Sequence, residues 1–363
     1  MSIVYDEQQQ AIARESRRVL DARVDKARLL GLLERTSEWD RTFWDTAIEQ
    51  GWTALAVPEA QGGLGLGLIE LGLVAQASGA ATAGAPFLTS NYGAIRALAG
   101  RDGEAASHWL PKLASGEALA AIASAEGNAV LPSLPTVTFA DGRLNGTKPG
   151  VTAGLSAHFA VVWASHGGEP ALVLATLDGV ARRAVDSFDN ARLFADLDFA
   201  DSPASLLATG DAARILALDI LARQAVVTAH EQVGGAEALL FIARDYANER
   251  KAFGQPIGAF QSVKHRLAEL YGLVEIARAN AIHAASIEGQ PGFLAAAAAA
   301  RLTATEAYDT AARDAVQVHG GIGTTWESGL HLHMRRARSL AIEQGNMLFW
   351  EDILVDELAG ASA

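Results

Sequence analysis

The sequence predicts an α+β protein with an N-terminal helical domain, a small middle β-domain and a C-terminal four-helix bundle. Two changes of hydrophobic period predict this order. Apolar residues recur at helical spacing over 1–117, alternate with period two between glycine turns over 118–208, and return to long helical spacing over 209–363. At 363 residues the chain exceeds the roughly 150 residues of one typical domain, so two or three domains are expected.

The elements follow in order. Residues 8–24 place apolar side chains on one face between charges. Ser37-Glu38-Trp39-Asp40 reads as a helix start, with Phe43, Trp44, Ala47 and Ile48 on one face. The glycine-rich stretch from Pro58 to Gly67 reads as a loop, and helices follow near 68–79 and 89–99. In the middle region, Thr136–Ala140 and Arg143–Gly146 flank Asp141-Gly142, a pair that supplies the positive φ angles of a tight hairpin. His158–Ala164 and Ala171–Ala175 flank Gly167-Gly168 and form a second pair, and Leu193–Phe199 alternates with period two. This β-region is small for a closed barrel. Beyond Asp211 the helices read as 211–248, 260–288 and 293–319, with Gly320-Gly321 as a stop, and Asn346 can cap a last helix. The alanine run 295–300 suits close helix packing.

Charge and composition exclude several function classes. The 29 basic and 42 acidic side chains give a net charge of −13, which disfavours nucleic acid and anionic membrane surfaces. No cysteine is present, so disulfides, thiolate metal sites and a cysteine nucleophile are excluded. The N-terminal residues lack the basic-then-apolar order of a signal peptide, and the apolar run 293–300 stops at Arg301. It is far short of the roughly 20 residues that span a bilayer. A cytoplasmic protein is expected. No metal site is expected either, because His331 and His333 at i and i+2 on a helix point apart. They read as solvated or interface histidines beside Arg335 and Arg336.

Two strings stand out. Residues 248–261 join two bundle helices and offer Arg250, Lys251, Phe253, two glycines and Gln261 near a helix N-terminus, a natural seat for phosphate. On composition alone the segment reads first as a basic connector between helices. Residues 315–323 end a helix in Gln317-Val318-His319-Gly320-Gly321-Ile322-Gly323, where glycines allow close approach to backbone N–H groups.

Together these strings resemble the signatures of the acyl-CoA dehydrogenase family. The first is similar to Arg-x-x-Phe-Gly-x-x-Ile-x-x-x-x-Gln with one residue fewer, and the second to Gln-x-x-Gly-Gly-x-Gly. Gly51–Glu59 with Gly62-Gly63-Leu64-Gly65, Leu110–Glu117 and Leu144-Asn145-Gly146-Thr147-Lys148 resemble further family strings, so the likeness covers nearly the whole chain. It implies FAD as cofactor, an acyl-CoA substrate and electron-transfer flavoprotein as acceptor. It also implies that Arg250, Phe253, Gln261, Gln317, Gly320 and Gly321 hold the adenine and pyrophosphate half of a flavin in a neighbouring subunit.

The chain departs from the family at its own active-site strings. Where the family carries Thr-Glu-Pro-x-x-Gly-Ser-Asp, residues 124–132 keep only Glu126, and a later Trp-x-Thr string reads Gly150-Val151-Thr152. α,β-Dehydrogenation needs a carboxylate to take the α-proton. The position that the resemblance implies for it holds Gln344, with Glu343 directly before it. The family's other placement falls near Gln224, with Glu231 seven residues on. Glu343 is the candidate base, Glu231 the alternative within the chain. The implied function is FAD-dependent dehydrogenation of an acyl-CoA thioester by a homo-oligomer or by a heterotetramer with a related chain. The alternative is a non-catalytic subunit that completes its partner's flavin site, as in heteromeric steroid-degrading members. A flavin oxidase or monooxygenase on this scaffold has no residue in its favour.

Overall fold

The structure is a computed structural model and describes residues 5–35, 38–84 and 86–360. The N-terminal segment holds α1 (Glu7–Arg23), α2 (Lys26–Leu33), α3 (Arg41–Glu49), α4 (Leu68–Ala80), α5 (Phe87–Leu98) and α6 (Glu104–Ser115). The strands are β1 (Ala120–Ala123), β2 (Thr138–Ala140), β3 (Arg143–Val151), β4 (Phe159–His166), β5 (Glu169–Thr176), β6 (Ala181–Ala184) and β7 (Ala195–Thr209). The 40-residue α7 (Gly210–Glu249) follows, then a two-stranded ribbon of β8 (Lys251–Ala252) and β9 (Gln255–Pro256). The chain ends in α8 (Gln261–Ser286), α9 (Phe293–His319), α10 (Leu330–Leu340) and α11 (Met347–Gly360). Residues 31–67 with 84–224 form one compact unit, and 1–30, 68–83 and 225–363 form another.

In the β-containing unit, α3 starts where Asp40 accepts from the Phe43 N–H at 3.1 Å; Ser37 lies outside the described residues. The hairpin turn at Asp141-Gly142 has φ of 49° and 75°, as the dipeptide predicts. The 15-residue β7 pairs with β3, β5 and β6, β5 pairs with β4, and β4 meets β2 at Ser165. With β2 on β3 the ring closes, so the small β-region is a closed barrel after all. One long strand serving three neighbours supplies the closure that short strands could not. Period two then splits β4 between two cores. Phe159, Val161 and Trp163 pack with α5, α6 and the start of α7, while Ala160, Val162 and Ala164 fill the barrel.

In the helical unit, Asp6 and Gln9 form a capping box at the start of α1. α4 and α7 touch backbone to backbone. A Cβ on Gly79 would lie 1.8 Å from the Glu231 carbonyl oxygen, and one on Gly234 would lie 1.9 Å from that of Gln76. Only glycine fits either position. α9 buries Ala297, Ala298, Ala300, Ala304 and Ala311 and packs against α8, α10 and α11, as its alanine content predicts. Asn346 caps α11 by accepting from the Phe349 N–H at 3.0 Å. α10 is not legible as an element from its sequence, because its buried face mixes Leu330 and Leu340 with His333 and Arg336. No helix among the described residues is long and apolar enough to cross a membrane.

Candidate functional site

The second glycine-containing string packs through His319 on Tyr246 of α7, two residues before the first string begins. α7 ends at Glu249, and the chain turns back through β8 and β9. At the turn, Phe253 and Gly254 both have positive φ, 52° and 83°, the geometry of a type I′ hairpin. This throws the Phe253 ring outward, 95% exposed, with Phe260 edge-on at 6.3 Å. The Ile257 N–H donates to the Arg250 carbonyl at 2.8 Å and closes the loop. α8 then begins at Gln261 with no side chain capping its N-terminus, so that end keeps its partial positive charge exposed. Across the bundle end, His319 of α9 stacks on Tyr246 of α7 at 4.1 Å, and the Tyr246 hydroxyl donates to the His319 carbonyl at 3.5 Å. Gly320, at φ 61°, terminates α9.

Arg250, Phe253, Gln261, Gln317, Gly320 and Gly321 are all exposed. Arg250 makes no ion pair among the described residues. An unpaired guanidinium, an uncapped helix start, an outward aromatic ring and two glycines with open space around them fit a pyrophosphate-linked aromatic ligand. None of these side chains turns inward.

A second cluster lies inside the bundle. Glu343 is buried in the turn between α10 and α11. Arg301 is buried in α9 and holds that turn from below. Its Nη2 donates to the carbonyls of Leu340 and of Glu343 (3.0 Å), and its Nη1 donates to Gln232 (2.8 Å) and Thr305 (2.6 Å). Burial lowers the Arg301 pKa to about 10, against the raising influence of Glu343 and Glu231, so it remains a cation at neutral pH. Gln344 sits at φ 55°, a conformation that costs a side-chain-bearing residue, and its Oε1 accepts from the Thr228 hydroxyl at 3.0 Å. Glu231 accepts from Arg336 Nη1 at 2.8 Å, and the same nitrogen donates to the Ala83 carbonyl at 3.1 Å. Glu231 is therefore committed to an internal ion pair. Gln224 is buried in the β-containing unit, where its Nε2 donates to the Thr89 carbonyl at 3.1 Å.

Glu126 also has a structural post. One oxygen accepts from Lys148 Nζ at 2.7 Å and the other from the Thr136 N–H (2.7 Å) and hydroxyl (2.8 Å). Burial works to raise its pKa, but the bonds from Lys148 and Thr136 outweigh it and hold the carboxyl below its usual range. Lys148 is fully buried, and that desolvation takes its pKa down to about 8.

Sequence reasoning missed Lys148, Arg301 and Arg336. Each was visible as a charge set in an apolar or strand pattern, but only three dimensions supply its partner. The histidine reading needs correction. His333 is not solvated: it is buried against the Tyr308 hydroxyl, 2.9 Å from Nδ1, and desolvation lowers its pKa to about 3. His331 stacks on Trp326 at 4.5 Å. No metal-ligand cluster occurs among the described residues.

The family model described as "Acyl-CoA dehydrogenase, N-terminal domain" matches residues 6–117, and "Acyl-CoA dehydrogenase, C-terminal domain" matches 215–354. Acyl-CoA dehydrogenase IpdE2 of Mycobacterium tuberculosis is 32% identical over 84% of this chain and 82% of that protein. The chain belongs to the acyl-CoA dehydrogenase family. Among solved structures, a variant of the Tcur3481–Tcur3483 steroid ACAD superposes with a TM-score of 0.87 at 26% identity, covering 98% of this chain and 99% of that one. The ChsE4–ChsE5 complex from Mycobacterium tuberculosis does so with a TM-score of 0.87 at 25% identity, covering 99% of each. A glutaryl-CoA dehydrogenase from Mycobacterium smegmatis, solved with FADH2, shares the fold with a TM-score of 0.85 at 20% identity, covering 99% of this chain and 96% of that one.

Proposed function

We propose that this chain is a subunit of an FAD-dependent dehydrogenase that oxidises an acyl-CoA thioester between its α- and β-carbons. The observation that carries the reading is the outward set of Arg250, Phe253, Gln261, Gln317, Gly320 and Gly321, with the Arg250 guanidinium in no ion pair among the described residues, chemically suited to the adenine and pyrophosphate of a flavin. Facing outward, these side chains suit a cofactor bound in a neighbouring subunit, so assembly into a homo-oligomer or heterotetramer completes the site. When bound, FAD supplies the acceptor for the hydride leaving the β-carbon. The chain's own part is to take the α-proton, and Glu343 is the proposed base, in a turn that Arg301 fixes through two carbonyls. Electron-transfer flavoprotein is the proposed acceptor.

One observation favours a second reading. The residue aligned with the family's base is the amide Gln344, bonded to Thr228, while Glu231 is held by Arg336. A chain that keeps the cross-subunit residues but lacks its own free base suits a supporting role beside a catalytic partner, in a complex of unlike chains acting on steroid side-chain thioesters.

Turnover of a panel of straight-chain and steroid side-chain CoA thioesters tests the activity. The proposal expects dehydrogenation by the assembled protein with at least one of them. An assembled, flavin-loaded protein that oxidises none would contradict it.

A further inference from the structure

The helical unit holds a cavity of about 300 Å³ between α1, α4, α7 and α8, away from both residue groups described above. That size is at the lower end for small-molecule sites. Its apolar lining comes from Ala13, Leu73, Ala77 and the ring of Tyr5. Its charged lining is unusual for a chain of net charge −13: Arg14, Arg17 and Arg278 against one carboxylate, Glu237.

The carboxylate is already spent. Glu237 is buried, and its two oxygens accept separately from Arg17 Nη2 at 2.9 Å and Arg278 Nη2 at 2.7 Å. Glu275, outside the lining, adds a bond to Arg278 Nε at 3.1 Å. Counting both carboxylates, three guanidinium groups face two, and Arg14 has no ion-pair partner among the described residues. The unmatched guanidinium is that of Arg14, exposed on α1 beside the apolar wall and able to take an anionic head there. Burial raises the Tyr5 pKa, so its phenol stays neutral and able to donate.

We infer that this cavity is a binding site for an amphipathic carboxylate, with its head on Arg14 and Arg17 and its apolar body against Leu73, Ala77 and Tyr5. The planar guanidinium fork suits a carboxylate, and the apolar wall selects against small inorganic anions. The site is separate from the proposed flavin and thioester chemistry and does not depend on it.

Decanoate, with decanol as the neutral probe of equal length, tests the site by calorimetric titration of the assembled protein and its Arg14→Gln variant. Arg14 is exposed and holds no other group, so the variant should unfold at the same temperature as the parent. Saturable decanoate binding is expected, with at least tenfold weaker affinity for decanol and at least tenfold weaker decanoate affinity in R14Q. Absence of saturable binding, equal affinity for decanol, or decanoate affinity unchanged in R14Q would each overturn the assignment. The last outcome would mean that decanoate occupies a different site.

Discussion

Thr228 donates its hydroxyl hydrogen to the side-chain oxygen of Gln344 across 3.0 Å, fixing an amide where the family resemblance implies a carboxylate. The neighbour Glu343 lies buried in the same turn, one residue earlier. Adjacent residues in an irregular turn exchange positions through a modest backbone change, whereas on a regular helix they point about 100° apart. Glu343→Gln is therefore expected to keep fold and flavin but lower turnover by at least about 100-fold, the usual contribution of a positioned base. A supporting chain would leave turnover of the assembled complex unchanged in the same variant. Steady-state kinetics with a responsive acyl-CoA distinguishes the two.

Arg336→Leu should destabilise the helical unit by about 3–5 kcal/mol, because it removes the Arg336 ion pair from the buried Glu231 carboxylate. Adding Glu231→Leu should recover most of that loss, since replacing both members of a buried pair with apolar groups is close to neutral. Denaturant titration of the parent and the two variants reads both effects. Equal stability of Arg336→Leu and parent would show that the pair is not coupled.

Acid should destabilise the protein well before its carboxylates titrate. Burial takes the His333 pKa down to about 3 and that of His230 to about 4, from an ordinary 6.5. Between those limits the unfolded chain binds protons that the folded chain refuses, so stability is present above pH 6.5 and is lost as pH falls. In His333→Gln the slope of unfolding free energy between pH 6 and 4.5 should be shallower by up to one proton, about 1.4 kcal/mol per pH unit. Unfolding curves at several pH values measure it, and an unchanged slope would count against a neutral buried His333.

Much of the fold was legible because local pattern and tertiary role agree. Asp141-Gly142 predicts its hairpin, Asn346 its cap, and the alanines of 295–300 a tightly packed helix. The closed barrel was not legible, because closure depends on β7 reaching three strands, and length alone does not announce partners. α10 escaped for a different reason. Its inward face carries His333 and Arg336, whose burial is supported by Tyr308 and Glu231 from other helices, so the apolar stripe that would reveal it is interrupted. The candidate flavin residues could be picked out only as strings. Their common outward exposure, and the meeting of α7 and α9 through Tyr246 and His319, required the structure.

Flavin retention in Arg250→Ala decides whether residues 250–261 grip a flavin. Losing one charge-assisted bond of roughly 1.5–3 kcal/mol should weaken FAD binding about tenfold to a hundredfold. The measurement is the dissociation constant of FAD for the assembled protein, parent against variant, with unfolding temperature as the control for fold. A flavin-binding parent and a correctly folded variant that releases the cofactor are expected. A variant that holds FAD as tightly as the parent would contradict that expectation and reduce residues 250–261 to a connector between two helices.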